Sequence, residues 1–330
     1  MQSDHWSDRL FVRRIAIRQI YMHDQNSTVP YGVIADCFRD RKVVLFLGAA
    51  ASCVGAPTET ALPTGGKFAS DLASKSAYPG KSSDPLTKIS QFLEEVAADR
   101  KFLLRYVNSI FCKSIDEGYV TSLSIFLSNL PSIKIPKLIV TTNYDVIIER
   151  TLEKRKIPYL SLSHIMRGTK LFGRFLCYNS LDANIDILTK TQLEERLLEL
   201  EEKNDGTVLI YKMHGTARNT DIPLDSIVLT ETDYIDFLAE DMLKRIPTGI
   251  LDVLRGNSIL FLGYKLEDWN FRVLLQRILK LQRQEDIELR HWACLLDPDP
   301  VEKTFWVKRG VTLYDQSLDH FLSNLANKLL

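Results

Sequence analysis

No apolar run in this 330-residue chain approaches the roughly 20 residues that a helix needs to cross a bilayer. The first ten residues, Met1 to Leu10, are polar and charged, unlike the apolar core of a secretory signal. A soluble, cytoplasmic protein is expected. Cysteine is sparse: five residues, at 37, 53, 112, 177 and 294, odd in number and without a Cys-x-x-Cys pair. That spacing argues against structural zinc and against a disulfide framework, and leaves reduced thiols serving as small core side chains. An excess of one charge is also missing. The 42 Lys and Arg balance the 42 Asp and Glu, so no global field draws the chain to nucleic acid or to an anionic membrane. With no internal repeat or low-complexity tract, and with 45% hydrophobic and 25% charged residues, the composition is that of a globular protein long enough to bury a core.

Against that background four apolar segments stand out, each ending in small or polar residues. The first is Lys42-Val-Val-Leu-Phe-Leu-Gly-Ala-Ala-Ala-Ser52. Its five apolar residues, Val43 to Leu47, read as a strand buried on both faces of a parallel sheet. The small residues Gly48, Ala49, Ala50 and Ser52 allow close backbone approach to another molecule, although a tight strand-to-helix junction without a ligand has the same appearance. The second, Pro136 to Asp145, ends in Thr141-Thr-Asn-Tyr-Asp. Asn or Asp at such a junction is often only a helix cap, which accounts for one of Asn143 and Asp145 but not for the whole cluster with Thr142. The third, Val208 to Gly215, ends in His214-Gly215, and the fourth runs through Phe261-Leu-Gly-Tyr264. Strands at Trp292 to Leu296 and Val311 to Tyr314 follow, with a terminal helix over 317–330.

Strands alternating with helices predict an α/β protein with a doubly wound parallel sheet, in which ligands bind beyond the carboxyl ends of the strands. Residues 1–31 read as an N-terminal extension with a helix over Arg9 to Met22, or a strand over Phe11 to Ile17, and 32–330 as one domain. Apolar residues at helical spacing between 85 and 130 predict an inserted helical module, and 160–205 a second helical insertion with a helix at Thr191 to Glu202. The turn-rich stretch Gly55 to Gly66 predicts a long loop beside the first turn. Gly66-Lys67 is not a phosphate-binding P-loop, because Phe68 stands where Ser or Thr would hold magnesium and Ala61 where the first glycine belongs.

Taken together, the four strand ends resemble the sirtuin superfamily, and within it the divergent SIR2-like domains of bacterial antiphage defence proteins, over roughly 32–330. The resemblance implies a Rossmann-like fold and NAD as substrate. It places the pyrophosphate on the backbone of Gly48, Ala49, Ala50 and Ser52, aided by the dipole of a following helix. It implies Asn143 and Asp145, with Thr142, in the nicotinamide-ribose pocket, His214 as general base, and Gly263 and Tyr264 on the adenosine side with Asp315 closing over the adenine. Protein deacylases of the superfamily carry a four-cysteine zinc ribbon after the catalytic histidine. Here the only later cysteine is Cys294, and Leu62-Pro-Thr-Gly-Gly66 replaces an arginine-bearing loop motif. NAD hydrolysis to nicotinamide and ADP-ribose is therefore the expected activity, with no zinc and with gating by homo-oligomerisation or a separate defence partner. Deacylation, ADP-ribosyl transfer and a non-catalytic nucleotide sensor are the alternatives.

Overall fold

Val43–Leu47 forms the central strand, β1, and its side chains divide between two cores. Val44 and Phe46 enter one; Val43, Leu45 and Leu47 enter the other. A strand covered on both faces has no use for polar alternation, which is why the sequence shows an unbroken apolar run. The computed structural model describes residues 28–97, 100–112, 118–166, 170–203, 206–217, 225–239, 246–265, 269–282 and 289–330. The N-terminal helix expected over Arg9 to Met22 lies outside the described residues.

The other strands are β2 (Leu138–Thr141), β3 (Tyr159–His164), β4 (Phe175–Asn179), β5 (Asn184–Leu188), β6 (Val208–Lys212), β7 (Ser258–Leu262), β8 (His291–Leu295) and β9 (Val311–Asp315). They form one sheet in the order β5-β4-β3-β6-β2-β1-β7-β8-β9. The seven strands from β3 to β9 in that order are parallel, and β4 and β5 extend the sheet as an antiparallel hairpin. The chain leaves β1 for β2 on one side and returns to β7 on the other. The carboxyl ends of β1 and β7 therefore flank the point where the strand order reverses, the place where open α/β sheets take ligands.

One face is covered by α1 (Tyr31–Arg39), α5 (Ser122–Asn129), α6 (Ile147–Lys154) and α12 (Leu318–Leu329). The other is covered by α7 (Lys190–Lys203), α8 (Glu231–Ala239), α9 (Thr248–Gly256), α10 (Trp269–Gln282) and α11 (Pro300–Lys308). Helices on both faces make the sheet doubly wound, as the sequence predicts. Three further helices, α2 (Gly65–Lys75), α3 (Leu86–Ala97) and α4 (Arg100–Phe111), build a third, smaller core with Tyr144, Val146, Ile147, Ala217, Ile227 and Leu229. Those partners all follow β2 or β6, so this module sits over the carboxyl ends of the strands.

Two expectations change. The helices within 85–130 are not one insertion: α3 and α4 belong to the module, whereas α5 packs Leu123, Phe126 and Leu127 into the sheet layer. The stretch 160–205 is not a helical insertion. It holds most of β3, all of β4 and β5, and then α7. Ser161, Ser163 and Asp186 interrupt the apolar residues of its strands, so the continuous apolar pattern of the central strands is missing here. Edge strand β5 is only partly buried and carries Asp186, which pairs with Arg196 of α7 at 2.7 Å. A charge on an edge strand discourages pairing with another chain.

Candidate active site

Register carries the four motifs to one place. Leu47 pairs with Leu262 and with Thr141, and Thr141 pairs with Lys212. Gly48 and Gly263 thus lie one residue beyond a paired level, and Asn143 and His214 two residues beyond it. Parallel strands that end in register place their terminal residues side by side.

The glycines of β1 and β7 meet directly. The Gly48 amide donates to Leu262 O (3.0 Å) and the Ala50 amide to Gly263 O (3.3 Å). Gly263 has φ +63°, and a Cβ built on it would stand 2.7 Å from Ala50 Cβ and 2.8 Å from the Ala51 amide nitrogen. A side chain would face both left-handed backbone strain and a collision with the turn. Gly263→Ala should lower unfolding stability by roughly 1–3 kcal/mol in urea titration. A change below the error of that titration would show that the turn yields freely.

After Gly48 the chain makes a four-residue 3-10 turn, Ala49–Ser52, and no α-helix starts until Gly65. The expected helix dipole behind the turn is therefore absent, since a single 3-10 turn aligns too few peptides to build one. What remains is local amide chemistry. Among the described residues the Ala49 amide has no acceptor.

Asn143 joins the ends of β1 and β2. Its Nδ2 donates to Gly48 O and to Ser52 Oγ, both at 2.8 Å, and Ser52 Oγ donates in turn to Asp145 Oδ2 at 2.7 Å. The other carboxylate oxygen of Asp145 accepts from the Ile147 amide at the start of α6 (3.1 Å). Asp145 is buried, with both oxygens engaged. Burial pushes its carboxyl above the usual range, against the opposing pull of Lys212 and the Ser52 hydroxyl. Its place is behind Ser52 and Asn143, holding them. Tyr119 fixes the turn from the opposite side, donating to Ser52 O (2.7 Å) and accepting from the Leu62 amide (2.8 Å). Burial and then Asp145 push the Cys53 thiol up to about 11, away from the reactive thiolate.

Lys212 is the residue that the sequence reading passed over. It is fully buried on β6, two residues before His214. Its Nζ donates to Asp145 O and pairs with Glu149 Oε1 of α6 at 3.3 Å, each side chain being 1% exposed. Ser161 Oγ also donates to Glu149 Oε1 (3.0 Å). A lone lysine inside the apolar run Val208 to Met213 was the available signal, because a charge in a strand covered on both faces requires a buried partner.

His214 is buried, with its ring edge-on to Tyr234 (centroids 5.2 Å) and Phe237 (5.9 Å) of α8. Backbone pairing holds it beside β2, with the Met213 amide donating to Thr141 O (2.9 Å). Gly215 has φ +87° and lies against Ser226 O, where any Cβ would collide. Glycine after His214 therefore meets a backbone requirement.

Two expected residues stand apart. Tyr264 turns its ring into the core, edge-on to Phe46 at 5.6 Å. Asp315 ends β9, the far edge of the sheet, where its carboxylate accepts from the Asp297 amide (2.9 Å) and from Lys303 (3.0 Å). The structure brings together Gly48 to Ser52, Thr142, Asn143, Asp145 and Gly263, with His214 on the neighbouring strand. It does not bring Asp315 to them. Among the described residues no group of three or more His, Cys, Asp or Glu is disposed to hold a metal ion, and no helix is long and apolar enough to cross a membrane.

The SIR2-like domain family matches residues 137–314, more than half of the chain. Defense-associated sirtuin 2 of Bacillus subtilis is 23% identical over 183 residues, 54% of this chain. The match spans only 14% of that relative's length. The family match starts just before β2, and the glycine turn of β1 lies outside it, yet Asn143 hydrogen-bonds to that turn. On the family match and the α/β sheet that carries it, the chain belongs to the SIR2-like domain family.

Proposed function

We propose that this chain hydrolyses NAD at the nicotinamide-ribose bond, giving nicotinamide and ADP-ribose. The observation that carries the reading is the bridge from Asn143 to Gly48 and Ser52, which joins a glycine turn suited to a phosphate with a polar strand end suited to a ribose. With both Nδ2 protons committed, Asn143 keeps Oδ1 as an acceptor for water or a ribose hydroxyl. His214 serves as base on the adjacent strand. In the reaction the C1′–N bond breaks and its electron pair leaves on nicotinamide. Water oxygen bonds to C1′, and the water proton passes to His214. Thr142, Ala49, Ala50 and Gly263 belong to the binding surface of this reading, and Tyr264, its ring in the core, supports the turn from behind. Asp315 would reach the adenine only if the ligand extended to the sheet edge.

Unchecked hydrolysis would drain the cell of NAD, so the reading includes gating by self-assembly or by a partner protein, in a role like that named for the defence-associated relative. The test is to incubate purified protein with NAD and resolve the products by chromatography and mass. Nicotinamide and ADP-ribose in equal amounts support it. Tight nucleotide binding with NAD still intact, including after expression with the genomic neighbours, would replace it with the sensor reading.

A further inference from the structure

We propose that Tyr234 is a positioning residue for His214: it accepts a hydrogen bond from Nδ1–H, holds the imidazole in that tautomer, and leaves Nε2 with the lone pair that takes the proton. This rests on the assignment of His214 as the base in NAD hydrolysis. The Tyr234 hydroxyl lies 3.4 Å from His214 Nδ1, and the two rings meet edge to face at 80°. Such a separation is long for a hydrogen bond, and bonds of this kind in ligand-free sites commonly close when the substrate arrives. A histidine accepts a proton at one nitrogen only if the other carries the hydrogen, so a partner on Nδ1 decides which nitrogen is the base.

The support behind Tyr234 is stronger than a surface side chain would need. The start of α8 is closed by a reciprocal cap: the Asp233 amide donates to Thr230 Oγ1 (3.2 Å), and the Thr230 amide to Asp233 Oδ2 (2.8 Å). Arg100, the first residue of α4, clamps the same segment. It grips Asp225 through Nε and Nη2 (2.8 and 3.2 Å), Asp233 through Nη1 (2.7 Å) and Ile227 O through Nη2 (2.6 Å). Bidentate guanidinium pairing of this kind fixes geometry as well as charge. The clamped segment also accepts from Tyr144 at Val228 O (2.7 Å), and its Val228 amide donates to His214 O (3.0 Å). Histidine and tyrosine are thus held by one segment, which the helical module anchors through Arg100.

The experiment compares wild type with Tyr234→Phe, which keeps the ring packing and removes only the hydroxyl. Long-range proton–nitrogen correlation spectra of 15N-labelled protein report which imidazole nitrogen carries the hydrogen. His214→Gln identifies the signals of residue 214. Expected are an Nδ1–H signature in wild type, a shift toward Nε2–H in Tyr234→Phe, and kcat for NAD cleavage lowered about tenfold with KM and Tm unchanged. An Nε2–H signature in wild type, or the same signature in both proteins, overturns the proposal. If wild type leaves NAD intact, the hydrolase reading fails by itself, and the spectra still decide the role of Tyr234.

Discussion

His214→Ala should lower the rate of NAD cleavage by roughly 10²- to 10⁴-fold, the range over which a positioned acid or base contributes to proton transfer. The loss should fall on kcat, because the base acts on a proton that moves in the transition state and adds little to ground-state binding. Asn143→Ala should behave differently. Its Nδ2 holds Gly48 O and Ser52 Oγ, so the variant loosens the turn as well as the pocket, and KM should rise as kcat falls. Steady-state kinetics of the two variants separate these patterns. A His214→Ala protein that keeps its fold and cleaves NAD at the wild-type rate would remove the base assignment.

Lys212→Met should cost about 3–5 kcal/mol of unfolding stability, the loss expected when one member of a buried ion pair is removed and its partner left charged. The case here is severe. Glu149 is 1% exposed, and among the described residues its second oxygen already lacks a hydrogen-bond partner and the first would retain only Ser161. Against the 5–15 kcal/mol by which domains are usually stable, this loss is large. Lys212→Met with Glu149→Leu should recover most of it, because replacing both partners by apolar groups removes the stranded charge. The Asp145 carbonyl would still lose its donor, so activity should not recover in parallel. Urea unfolding of the single and double variants makes the comparison, and equal destabilisation in both would show that the pair is not coupled.

The strand ends of the candidate site were legible where residue type alone carries them. An apolar run ending in Gly48, a polar cluster with Asn143 and a strand ending in His214 announce their places, because a strand buried on both faces needs continuous apolar residues and a ligand-facing end needs small or polar ones. The supports were not legible. The resemblance implies Asp145 as a pocket residue and its place in the chain allows a helix cap; folding turns its carboxylate onto Ser52 and onto the Ile147 amide at the start of α6. Arg100 looks like any charge on an amphipathic helix, yet it meets Glu94, Asp225 and Asp233, two of them more than a hundred residues away. The resemblance implies Asp315 near the adenine, and the sheet order places it at the far edge, on β9.

By itself, then, the sequence determined the α/β class, the central strand and the residue types that meet at its end, since these depend on local pattern and on the burial of apolar surface. The tertiary structure decided which of those residues touch, that β4 and β5 add an antiparallel edge, that a 3-10 turn follows Gly48 in place of a helix, and that Lys212 and Arg100 hold the site from behind. The physical reason is that a buried charge or a spent hydrogen bond is defined by its partner, and the partners here come from distant parts of the chain that only strand register and packing bring together.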